Sequence, residues 1–153
     1  MTINHYLQLS YGLEKKLREN LIKTAEYHKT EHDIYYECQD LASISDEHRR
    51  KIEQLLQKYP LQKANEPGTQ FRVLLEDHNT GLNLLNDLHY LWLLTVEMQL
   101  IRRFLLQSAE NVRDAELEDE CRKLEEGSEK QSDWLLKRIN HIMSHHSVLE
   151  GQK

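Results

Sequence analysis

A chain of 153 residues is long enough to bury one sizeable core and is expected to form a single domain over residues 1–153. With 30% charged and 39% apolar residues it has an ordinary globular composition, and a formal net charge of -6 argues against nucleic acid, whose phosphates want a basic surface. There are only 5 glycines and 2 prolines, and both prolines, Pro60 and Pro67, fall in one short region, leaving the rest free to be helical.

The first helix is expected over residues 4–27. Tyr6, Leu9, Leu13, Leu17, Leu21 and Thr24 make one stripe at three-and-four spacing, and Glu14 lies at its edge. A break is expected in YHKTEHD, with Thr30 as the cap of the next helix. The alternative is one helix continuing as far as Leu41, since no Gly or Pro enforces a turn. The second helix then covers 31–58. Its inner face reads Ile34, Cys38, Leu41, Ser45, His48, Ile52, Leu55 and Tyr59, so two polar residues, Ser45 and His48, interrupt an apolar seam, while Glu47 and Arg50 project to solvent.

Residues 59–81 hold both prolines and read as a connection, in which FRVLLEDH is expected to form a short helix. An extended chain covers about 3.3 Å per residue, so this connection can cross the length of a bundle and let the helices on either side run parallel. The third helix, over 82–110, is the most apolar stretch. From Leu88 to Leu106 its only charges are Glu97, Arg102 and Arg103, which argue against a membrane span. Glu97 is expected to face inward, with Arg102 and Arg103 on the other side. Leu84, Leu88, Leu91, Leu94, Met98 and Leu105 exceed what one bundle core should absorb, so a homodimer face is expected there.

Asn111 or Asp114 is positioned to cap a fourth helix over 115–145, with fraying expected beyond His145. Acidic Glu116, Glu118, Asp119 and Glu120 lead it and Lys137, Arg138 and His141 close it, which suits the helix dipole. Its inner face reads Leu117, Cys121, Leu124, Ser128, Leu135, Ile139 and Ile142, flanked by Gln131 and Ser132. Cys38 and Cys121 match no zinc spacing and are expected to be buried reduced thiols, as in the cytoplasm. The N-terminal stretch MTINHYLQLSYGLEKK lacks the pattern of a secretory leader. No glycine-rich phosphate loop or serine elbow is present, and neither cysteine has an activating neighbour, so no catalytic residue is expected.

Four long helices with a crossover between the second and third resemble the ferritin-like superfamily over nearly the whole chain. The resemblance implies a di-iron centre built from a Glu on the first and third helices and a Glu-x-x-His on the second and fourth. Glu14 in YGLEKKL and Glu97 in TVEMQL fall at the first two places. His48 falls at the histidine of the second helix, but Ser45 precedes it where the pattern has Glu. On the fourth helix Glu125 and Glu129 are followed, three residues on, by Ser128 and Ser132 rather than His.

The expected fold is therefore an all-α, ferritin-like four-helix bundle. The expected site is a buried polar cluster of Glu14, Ser45, His48, Glu97 and Ser128 with no cofactor, in a cytoplasmic binding or interaction module that meets itself or another protein. The alternative is an iron-dependent redox protein using Glu14, His48, Glu97, Glu125 and Glu129. Histidines His28 and His32, near the break, are expected to be solvent-exposed, and His89 to hydrogen-bond across the core.

Overall fold

A computed structural model describes residues 2–61, 73 and 75–151, with the side chains of the last helix as far as residue 145. It is an all-α bundle of four helices: α1 (Ile3–Tyr27), α2 (His32–Lys58), α3 (Leu84–Asn111) and α4 (Ala115–Gly151).

The helix ends have identifiable chemistry. Thr2 caps α1, its hydroxyl accepting from His5 N at 3.2 Å, and Asn83 caps α3, its carbonyl accepting from Asn86 N at 3.2 Å. Asp114 does the same for α4, accepting from Leu117 N at 3.0 Å, one of the two caps foreseen there. The chain breaks in YHKTEHD, but the cap of α2 is Glu31, whose side chain makes no capping bond, and not Thr30. Nor does α4 stop at His145: no Pro or Gly interrupts the residues that follow, and the helix runs to Gly151. Residues 73 and 75–79 form no helix; the rest of the short helix expected in FRVLLEDH lies outside the described residues.

Side-chain contacts fix the directions. The start of α1 meets the end of α2, where Asn4 Nδ2 donates to Tyr59 O at 2.7 Å, and the end of α1 meets the start of α3, where His28 contacts Asp87 at 2.7 Å. Along the other side of the bundle, α2 and α4 are tied by Asp33–Arg138 at 2.7 Å at one end and Lys58–Glu116 at 2.7 Å at the other. Each of α1 and α4 is therefore antiparallel to both α2 and α3, which run parallel to one another. Only a long connection between α2 and α3 permits that order.

The last described part of this connection is anchored from below. Lys16 Nζ donates to Leu75 O at 3.2 Å and pairs with Asp77 at 3.1 Å. Gly81 has φ +106°, a left-handed conformation that suits glycine, and a Cβ there would lie 2.7 Å from the Tyr27 ring.

The apolar interior falls into two clusters. One is centred on Leu17, Leu21, Ile34, Leu91, Leu94, Met98 and Leu135, and the other on Leu7, Ile52, Leu105, Leu117 and Leu124. Five of the six α3 residues on which a homodimer face was expected to rest, Leu88, Leu91, Leu94, Met98 and Leu105, are fully buried in these clusters, so they are not an outer surface. The bundle absorbs them because α3 lies against both α1 and α4. Among the described residues, no helix is long and apolar enough to cross a membrane.

Candidate functional site

Between the two apolar clusters lies a polar layer to which all four helices contribute. Glu14 comes from α1, Ser45 and His48 from α2, Arg102 from α3, and Ser128 and Gln131 from α4, and all six are buried. Each stands within one turn of its helix's inward stripe, so the six side chains from four helices meet at one height.

Arg102 is the centre of the layer. Its guanidinium is 1% exposed and donates to Glu14 Oε1 at 2.5 Å, to Leu124 O at 3.0 Å and to the Ser128 hydroxyl. Glu14, itself fully buried, takes a second contact on the same oxygen from His48 Nδ1 at 3.1 Å. Burial alone would push the Glu14 carboxyl up. The Arg102 charge and, after it, His48 overcome that cost and hold the carboxyl below the ordinary range.

An ionised carboxylate can only accept, so His48 Nδ1 is the donor in that contact. In the neutral form of the ring that contact leaves the lone pair on Nε2. On the other side of the layer, Gln131 Nε2 donates to Leu41 O and to the Ser45 hydroxyl, both at 2.8 Å, tying α4 to α2.

The outer edge of the imidazole looks across to Gly127. A Cβ on that residue would lie 2.3 Å from His48 Nε2 and 2.6 Å from Cε1, so the missing side chain makes room for the ring. Beside this contact α2 and α4 part to leave a cavity of about 300 Å³, lined among others by Ile44, His48, Leu124 and Gly127. Replacing Gly127 by Ala is expected to destabilise the protein by about 1–3 kcal/mol, because overpacking outweighs the better helix propensity. In a His48→Ala background the same change should stabilise by up to about 1 kcal/mol. Denaturant unfolding of the four proteins of this cycle would show that reversal, or its absence.

The structure brings together Glu14, Ser45, His48 and Ser128 as the sequence suggests, but not Glu97. That residue is half-buried on the outer side of α3, in a groove with Leu75, Leu93, Leu100 and Arg103. The reason is helical phase. The inward stripe of α3 runs through Leu91, Leu94, Met98, Ile101, Arg102 and Leu105, and Glu97 is rotated about 100° from its neighbour Met98. Arg102, expected on the other side, takes the inward place. Spacing alone does not choose between the two: Arg102 lies four residues after Met98 and three before Leu105, and Glu97 three after Leu94 and four before Ile101.

Glu125 is half-buried and Glu129 exposed, so neither reaches the layer. His89 is exposed and makes no bond across the core.

A second polar cluster closes the end of the bundle where α1 stops and α3 begins. Asp87, 1% exposed, receives His28 Nε2 on Oδ2 and His78 Nε2 on Oδ1, both at 2.7 Å, and Gly81 N on Oδ2 at 3.0 Å. The His78 ring stacks on Tyr90 with centroids 4.8 Å apart. His28 is thus half-buried and bonded instead of solvent-exposed, although His32 is exposed as expected. Nothing in local spacing joins residues 28, 78 and 87. Cys38 and Cys121 are buried and free, and burial pushes each thiol up to about 12.

The residues present do not fit the di-iron centre that the ferritin-like resemblance implies. Glu97 is on another face, and a guanidinium is seated between Glu14 and the fourth helix where a cation would have to lie. Among the described residues, no group of three or more His, Cys, Asp or Glu could hold a metal ion.

Fold and site together define an all-α four-helix bundle with a long crossover and a buried arginine–glutamate–histidine layer. Comparison with known proteins adds no family: no family model, no curated protein and no solved structure matches this chain.

Proposed function

We propose that this protein is a binding module on a ferritin-like scaffold, and that an internal arginine cation has taken over the structural role of a metal centre. The observation that carries this reading is Arg102. Its fixed positive charge neutralises Glu14 and bonds α4, so the carboxylate needs no metal to remain ionised in the core. The opening beside His48 is the surface through which the module would bind. Two unpaired, buried thiols support a reducing compartment such as the cytoplasm.

Protein purified without chelator is expected to carry only substoichiometric iron, manganese or zinc, and anaerobic addition of ferrous iron should leave its melting temperature unchanged. A ligand that binds the native state would raise that temperature by mass action. One or two equivalents of iron per chain, lost in His48→Ala, would instead establish the iron-dependent redox reading.

A further inference from the structure

We infer that the opening between α2 and α4 takes a small uncharged ligand that donates a hydroxyl hydrogen bond to His48 Nε2. This rests on the reading of the protein as a binding module and names the ligand chemistry of that same site.

The first argument is the state of the imidazole. His48 is 7% exposed, and its Nδ1 is committed to Glu14. Among the described residues, no protein group bonds its Nε2. Because Glu14 is held ionised by Arg102, the tautomer is not free to switch: a neutral His48 presents an acceptor toward Gly127 and the cavity. An oriented acceptor at the edge of a buried ring favours a donor, and leaving it unpaired when a ligand displaces water costs affinity.

The second argument is the shape and charge of the opening. Its inner wall is apolar, from Ile44 and Leu124, and Gly127 adds no side chain. Its rim carries Lys51, Lys123 and Lys130 against Glu47, Glu120 and Glu126, so the formal charges cancel. Two of the lysines are already paired, Lys51 with Glu120 at 3.4 Å and Lys123 with Asp119 at 3.1 Å. A balanced rim selects neither an anion nor a cation, and an apolar wall beside one acceptor selects a compact body with one donor. At about 30 Å³ per water molecule, a cavity of about 300 Å³ has room for roughly ten water-sized groups. Phenol fits within that volume.

The experiment uses the intact, isotopically labelled chain, with phenol as probe and anisole as its control of like shape lacking the donor. Nitrogen-15 spectra of the free protein should show His48 as the Nδ1–H tautomer. Phenol should then shift His48 Nε2 and the backbone amides of Ile44 and Gly127, with anisole binding about tenfold more weakly, the discrimination expected from the net worth of one hydrogen bond. Equal binding of the two probes, shifts confined to another part of the bundle, no shifts with phenol, or an Nε2–H tautomer in the free protein would each overturn the inference. None of these readouts depends on a variant that must fold. Stoichiometric iron would remove the binding-module reading itself, whereas a metal-free protein indifferent to phenol removes only this inference.

Discussion

Replacing Arg102 by Met is expected to destabilise the protein by about 3–5 kcal/mol, the usual cost of leaving one member of a buried ion pair without its partner. The guanidinium is 1% exposed and Glu14 is fully buried, so water cannot take over the lost contact. Glu14→Leu should cost a similar amount from the other side, because it strands a charge that arginine cannot discard. The double variant Glu14→Leu with Arg102→Met should lose far less than the sum, since well-packed apolar residues often replace a buried pair at little cost. Chemical denaturation of the three variants measures this coupling. Additive losses would show that the two side chains do not act as a pair.

The pH dependence should change sign with the same substitution. In the native protein the Glu14 carboxyl is held below its unfolded value, so its contribution to stability is present above the unfolded pKa, about 4.3, and is lost as pH falls through the lower folded value. Without Arg102 the largest downward pull disappears while burial remains, and the folded pKa is expected to rise above the unfolded one. The deficit of Arg102→Met is then fully present above that raised value and shrinks as pH falls toward the unfolded pKa. Unfolding midpoints between neutral and mildly acidic pH should thus converge on the native ones. A deficit that is constant over that window would contradict this account.

The second large effect concerns the end of the bundle. Asp87→Ala removes an acceptor that serves His28, His78 and the amide of Gly81 at once, and is expected to cost about 2–4 kcal/mol. The loss is smaller than for Arg102 because the two imidazoles are partly exposed and can turn to water, at 15% and 24% side-chain exposure. Its location should be readable as well as its size. Hydrogen exchange at Gly81 and at the first turn of α3 should accelerate ahead of the polar layer, since Asp87 joins the connection to both helices. Uniform acceleration across all four helices would show that Asp87 contributes only to global stability.

The two polar clusters differ in how far local sequence announces them. Ser45 and His48 break an apolar seam at helical spacing, and Ser128 does the same on α4, so their inward direction follows from periodicity. Glu14 lies only at the edge of its stripe, and it is the ferritin-like resemblance that singles it out. On α3 apolar residues occur nearly all round, the stripe is broad, and periodicity does not tell which of Glu97 and Arg102 faces in. The His28–Asp87–His78 cluster has no local signature, because its members come from three segments that meet only when the bundle closes.

The sequence by itself determined four long helices, one of them apolar nearly all round, and a connection long enough to let the second and third run parallel. These follow from spacing, composition and chain length, which act within one element at a time. Tertiary structure decided the rotation of α3, and with it that the interior carries an arginine and not a second carboxylate. That choice depends on α1 and α4 packing against α3 from two sides, where Glu14, Ser128 and the Leu124 carbonyl offer three acceptors to the buried guanidinium.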